Sequence, residues 1–157
     1  MQKPRRKLAV VMQRRETHNR WQSVLWEPWS VLESDEPAGA PRLLVERPGH
    51  AQWLHAGFEL VLHRDEAEGY YLNLTSGKPS VFVLWREDEG VGVPVQVTAS
   101  YSEGARWLDG GHSVDHVVMP VGLLAWLGAY VEANYRPEPR KRIKPRSFLH
   151  PKDRASR

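Results

Sequence analysis

The sequence predicts an α+β fold dominated by antiparallel strands, curled into a barrel or a two-layer sandwich, with one short helix, one longer C-terminal helix and a basic tail. Three observations carry that expectation. Phe58, Leu60 and Leu62 alternate with Glu59, Val61 and His63, a period of two that lays one apolar row on one strand face. Val81-Phe82-Val83-Leu84-Trp85 is apolar on both faces, as a central strand covered from two sides would be. Pro120 suits the first position of a helix, and Val121 to Asn134, with a single charged residue, Glu132, continues it.

The 157 residues are one domain's worth, long enough for a core that needs no disulfide or structural metal. The spans expected are a flexible basic leader over residues 1–6, a globular domain over 7–136 and a flexible basic tail over 137–157. Cysteine is absent, which excludes disulfides, thiolate metal sites and cysteine nucleophiles, and the cytoplasm is the expected compartment. Arg5-Arg6-Lys7 precedes only five apolar residues, Leu8 to Met12, before Gln13-Arg14-Arg15, too few for an export signal. Met119 to Val131 would span about 20 Å as a helix, short of the roughly 30 Å hydrocarbon layer, so no membrane span is expected. The net charge of +3 conceals a division. Residues 1–20 hold seven Lys/Arg against one Glu, residues 136–157 hold nine against two acids, and the body between holds six bases against sixteen acids. An anionic body with two cationic ends follows.

Taken in order, Lys7 to Met12 is a first strand and Trp21 to Leu32 a second, with Pro28 marking an edge or a bulge. Trp21, Trp26 and Trp29 lie on both parities of that run; they either fill a small core or form an aromatic binding surface. Glu33 to Pro41 is a loop, and Arg42 to Glu46 and Gln52 to His55 are short strands around Pro48-Gly49. Arg64 to Gly69 is expected as a polar hairpin turn leading from the strand at Phe58 into another at Tyr70 to Thr75. Ser76-Gly77-Lys78-Pro79 and Glu87-Asp88-Glu89-Gly90 are turns on either side of the central strand, and Val93 to Ser100 alternates as a half-buried strand. Ser100 and Glu103 have capping-box spacing; a short helix should follow, with Tyr101, Ala105 and Leu108 on one face and Gly110-Gly111 as its stop. His112 to Met119 is a loop or short strand. The long helix, apolar nearly all round, must be covered on more than one side, and Gly122, Ala125, Gly128 and Ala129 would allow close backbone packing. Pro137 and Pro139 end it.

Candidate sites are few. Asp65, Glu66 and Glu68 are three carboxylates in a short loop without calcium-loop spacing, which a solvated turn explains. His112 and His116 stand four apart beside Gly-Gly, where no helix would align them on a metal, and no metal site is expected. Gly90-Val91-Gly92 lacks the third glycine and the helix of a dinucleotide fingerprint; no cofactor motif, hydrolase elbow or phosphate loop occurs, and no catalytic residue is nominated. Arg140, Lys141, Arg142, Lys144 and Arg146 form a Pro-broken basic tail that would bind nucleic acid, clamp an acidic protein surface, or remain solvated.

Six blocks resemble one family: Asn19-Arg20-Trp21-Gln22, Trp26-Glu27-Pro28, His63 to Leu74, Val81 to Arg86, Ala105 to Gly111, and Tyr135 to Pro139. Together they are similar to a small uncharacterised proteobacterial family whose genes often lie in formate dehydrogenase clusters. The resemblance covers Val10 to about Arg142, and Arg64 to Leu74 is its most specific part. It implies an accessory role in the assembly, maturation or regulation of a molybdenum- or tungsten-dependent formate dehydrogenase, with a subunit of that enzyme or its chaperone as partner. Without cysteine the chain cannot hold an iron–sulfur cluster through thiolates, which narrows the role toward non-enzymatic binding. The residues expected to meet the partner are Trp21, Trp26, Trp29, Arg64, Asp65, Glu66, Glu68 and Tyr71 of the body, with the five tail cations. The rival expectations are a nucleic-acid-binding module acting through its basic ends and a small-molecule binder or enzyme with a pocket in the sheet.

Overall fold

The computed structural model describes residues 2–137. Seven strands and three α-helices follow in the order β1 (Arg5–Glu16), β2 (Val24–Glu33), β3 (Arg42–Arg47), β4 (His50–Val61), α1 (Ala67–Leu74), β5 (Ser80–Asp88), β6 (Val91–Thr98), α2 (Tyr101–Asp109), β7 (Ser113–Val118) and α3 (Val121–Asn134). Two antiparallel sheets form, in the orders β2-β1-β4-β3 and β6-β5-β7. Neither closes on itself, so of the two expected architectures the sandwich fits and the barrel does not. Among the described residues no helix is long and apolar enough to cross a membrane. The expected tail cations lie outside the described residues.

β1 is the spine of the larger sheet because both of its faces are apolar from Leu8 to Met12. Leu8, Val10 and Met12 project into the main core, where they meet Val31, Leu60, Leu62, the β5 residues Val81 and Val83, and Val97 of β6. Ala9 and Val11 pack on the opposite face with Leu54 and Ala56. The strand starts at Arg5, two residues inside the expected leader; Arg5 pairs with Glu59 and Arg6 with Glu33, both at 3.1 Å, so these cations lie against acids of the body.

Pro28 marks both an edge and a bulge. β2 is an outer strand, and its register passes from Ser30 opposite Val11 to Pro28 opposite Met12, leaving Trp29 as the extra residue. The short strand expected at Gln52 to His55 and the separate strand expected from Phe58 are one continuous β4, with the register shifted near Gly57. There the chain turns through φ +89°, and Ala38 packs so closely that a Cβ on Gly57 would overlap its backbone.

One expectation fails in kind. Tyr70 to Leu74 is helix, not strand, and Thr75 follows its end: a short 3-10 turn at Arg64–Glu66 runs into α1, so no hairpin connects β4 to this segment. Tertiary contacts reward the helical period. Ala67, Tyr70 and Asn73, three apart, are buried together; the Tyr70 ring meets Tyr130 of α3 edge-on at 5.9 Å, and the Asn73 amide reaches backbone of β5 and of the chain after β6. Among the described residues the fold therefore has three α-helices rather than two.

β5 is the central strand of its sheet, as its two apolar faces imply. Val81 and Val83 enter the core, and Phe82 on the other face lies under α2, where a Cβ on Gly104 would stand 3.2 Å from the ring. Ser100 caps α2 by accepting from the Glu103 N–H at 3.1 Å, as the spacing predicts. The apolar side expected of α2 faces outward instead: Tyr101 and Leu108 are exposed, because the helix approaches the sheet through Gly104 and needs no large residue there. In α3, Leu123, Leu127 and Val131 recur every fourth position and enter the core. Ala125 and Ala129 are exposed and a Cβ on Gly128 would meet open space, so these small residues serve no close backbone contact, whereas Gly122 is closely approached by the Glu33 carboxylate. The helix is two-sided by side-chain size rather than by polarity. Pro120, at ψ 142°, is the residue before the helix rather than its first.

Candidate functional site

Strand pairing assembles a site at one end of the sandwich. Val10 lies opposite His55 and Met12 opposite Trp53 across β1 and β4, and Arg14 lies opposite Trp26 across β1 and β2. Paired residues on antiparallel strands project to the same side. The inward row Leu8, Val10, Met12 thus ends in a cation, Arg14, flanked by two indoles. Trp26 and Trp53 stand 5.3 Å apart between ring centroids at an interplanar angle of 34°. β6 comes close to Trp26 because residue 92 is glycine; a Cβ there would be 2.7 Å from the Trp26 Cβ. The β5–β6 turn uses left-handed backbone at Glu89 (φ 51°) and Gly90 (φ 79°), which places Val91 beside the tryptophans. Trp26, Trp53, Arg14, His55, Pro41 and Val91 then line a pocket of about 390 Å³.

Its polar groups are two. Arg14 makes no ion pair among the described residues, whereas Arg15 beside it is held by Glu27 at 3.0 Å. Burial removes water from His55 and lowers its pKa from the ordinary 6.5, which keeps the imidazole neutral near pH 7 with one donor and one acceptor nitrogen.

The opposite face of the same sheet carries a polar ladder. Gln13, almost fully buried, accepts from Gln52 at 3.0 Å, contacts His50 Nε2 at 2.7 Å and donates to Glu27 at 3.0 Å. His50 Nδ1 is buried without a partner among the described residues.

The residues expected to meet a partner fall in separate places. Trp21 lies in the β1–β2 loop, 90% exposed, on the border of a second concavity that shares Trp26 and Gly90 with the pocket. Trp26 is buried in the pocket wall. Trp29, pushed out by the bulge and 55% exposed, lines a shallow groove of about 260 Å³ with Pro28, Lys78, His116 and Val118, where edge strands β2 and β7 meet. Arg64 and Asp65 border an open cleft of about 760 Å³ with Lys3, Tyr130 and Asn134. Glu66 turns inward, accepting from the Ser100 hydroxyl and pairing with Arg106, so it joins α1 to α2 rather than lying in a solvated turn. Glu68 is exposed. Tyr71 stacks on Tyr135 at 4.9 Å and 32°. Arg140, Lys141, Arg142, Lys144 and Arg146 lie outside the described residues. Asp65, Glu66 and Glu68 do not converge, and no group of three His, Asp or Glu side chains among the described residues is placed to hold a metal.

Sequence reasoning missed Arg14, Trp53, His55 and Pro41. For the first three a signal exists in parity: Arg14 continues the row of Leu8, Val10 and Met12, and Trp53 and His55 share one face of their strand. For Pro41 none exists, since only the folded loop brings it there.

The chain belongs to a family described as protein of unknown function (DUF3305), whose model matches residues 7–144. No curated protein and no solved structure matches it.

Proposed function

We propose that this member of the DUF3305 family is a non-enzymatic accessory protein that binds a partner during assembly, maturation or regulation of a molybdenum- or tungsten-dependent formate dehydrogenase. The resemblance of the six sequence blocks supports the choice of enzyme. The observation that supports binding is the exposure of Trp21 and Trp29 on either side of buried Trp26. Two large indoles that the core does not use are costly in water and gain most from a second surface. Trp29 sits where two sheet edges meet, and its bulge and Pro28 keep the β2 edge from adding a foreign strand, so recognition there runs through side chains. The basic tail supplies long-range attraction to an acidic partner surface.

The test is affinity purification of the tagged chain from its own host grown with formate, washed at moderate and high salt, with mass spectrometry and nucleic-acid absorbance. The wild type should retain a formate dehydrogenase subunit or its chaperone through the high-salt wash. The W21A/W29A variant should lose it while keeping the wild-type circular dichroism. Recovery of RNA or DNA that leaves at high salt, with no dehydrogenase component, would overturn the proposal and move the function to the basic ends.

A further inference from the structure

We propose that the pocket walled by Trp26 and Trp53 binds a small planar aromatic anion, through stacking on the indoles and a charge-assisted contact to Arg14. The inference does not rest on the accessory reading; it concerns a concave site inside the sandwich end, not the exposed tryptophans.

The shape comes first. At about 390 Å³ the pocket falls in the range of small-ligand sites, roughly 300–1,000 Å³, and is bounded by Pro41 on one side and by Gly90 and Val91 on another. The indoles lie 5.3 Å apart and tilted, too close to admit a ring between them, so a ligand stacks on the wall they form together. An aromatic wall accepts any flat ring and does not choose among them.

The charge chooses. Arg14 ends a row of core residues, yet no acid among the described residues pairs with it, while five other arginines have carboxylate partners. A guanidinium held beside apolar walls and lacking a protein counter-ion is a receptor for a carboxylate or phosphate, which it takes through two parallel N–H donors. A cationic ring could satisfy the indoles, but Arg14 would repel it. His55 adds the second polar contact: its side chain makes no hydrogen bond within the described residues, and the neutral ring presents either a donor or an acceptor to a ring heteroatom or to the acid group. Gly92 belongs to the same construction, because any side chain there would push Trp26 out of the wall.

Three matched probes test this: 2-naphthoate, 2-naphthyl phosphate and the neutral 2-naphthamide, each titrated into the full chain while the indole N–H resonances of Trp26 and Trp53, assigned through Trp→Phe variants, are followed. At least one anion should give saturable shifts at both indoles and bind about tenfold more tightly than the amide. Preference between the carboxylate and the phosphate identifies the acid group. R14Q should abolish the preference for the anion and leave amide binding in place; R14K, which keeps the charge and loses the fork, should retain part of it. No saturable shift with any probe up to about 10 mM, equal affinity for anion and amide, or an undiminished preference in R14Q would each overturn the proposal. The comparison of anion with amide on the wild type decides the matter even where a variant fails to fold.

Discussion

Replacing Asn73 by Ala removes the side chain that ties α1 to the second sheet. Its Nδ2 donates to the Ser80 carbonyl at 2.7 Å and to the Ala99 carbonyl at 2.8 Å, and its Oδ1 accepts from the Ser80 N–H at 3.0 Å. The residue is 1% exposed, so water does not replace it without local opening. A hydrogen bond lost in this way costs about 1 kcal/mol net, and a buried donor left unpaired about 1–3 kcal/mol. The two carbonyls keep a second lone pair, so the Ser80 N–H is the most expensive of the three losses. Together they come to about 3–5 kcal/mol, a large part of the roughly 5–15 kcal/mol of a whole domain. At about 2–4 °C per kcal/mol for a chain of this size, the melting midpoint should fall by about 6–20 °C. Urea unfolding followed by tryptophan fluorescence measures the free energy, and thermal melts followed by circular dichroism the midpoint. Asn73→Asp keeps the acceptor for Ser80 but sets a carboxylate against two carbonyls; it should be at least as damaging near pH 7 and recover partly in acid, where the protonated group donates once. A loss under about 1 kcal/mol in Asn73→Ala would refute the docking of α1, and is what an exposed strand over Tyr70 to Thr75 would give.

Three further outcomes follow from the same packing. Ser100→Ala removes both the cap on Glu103 N–H and the hydroxyl donated to Glu66, and should cost about 1–2 kcal/mol; a double-mutant cycle with Glu66→Ala should show coupling of about 1 kcal/mol, little of it from the Arg106 pair, whose guanidinium is largely exposed. His55 has its pKa lowered by burial, so the unfolded chain takes up its proton first on acidification; stability should be full above about pH 6.5 and fall below it, and thermal melts between pH 8 and pH 5 should show a shallower fall in His55→Gln. Gly92→Ala places a Cβ 2.7 Å from the Trp26 Cβ and 2.9 Å from its Cγ, and should cost about 1–3 kcal/mol with a shift in tryptophan emission. An unshifted emission and an unchanged melt would mean that β6 does not press on Trp26.

Much of the strand pattern was legible because each strand carries its own periodicity. The alternation at Phe58 to Leu62, the two-faced run at Val81 to Trp85 and the Pro28 edge signal reflect which side of a local ribbon meets the core, and the sequence states that directly. Arg64 to Leu74 misled because Gly69 resembles a turn glycine. The helical signal was present in Ala67, Tyr70, Tyr71 and Leu74, at i, i+3, i+4 and i+7, but the segment is too short for propensity to decide. Gly69 is there for space: a Cβ would collide with the Ser100 hydroxyl, where α1 meets the start of α2. The candidate partner residues were chosen by chemistry along the chain, and the fold scatters them. Glu66 became a half-buried joint, Trp26 a pocket wall, and Trp21 and Trp29 exposed indoles.

By itself the sequence determined the class, the strong strands, the cap of α2, the long C-terminal helix, the absence of thiol chemistry and the cationic ends around an acidic body. Each is local or compositional, set by residues within a turn or two of one another. Tertiary structure alone decided that the sheets remain two, that residues 67–74 are helical, and that Arg14, Trp26, Trp53 and His55 share one pocket. Those four come from three strands, and their meeting depends on register across β1, β2 and β4. A slip of one residue in either pairing would send the row to the other face, and no local signal records which register wins.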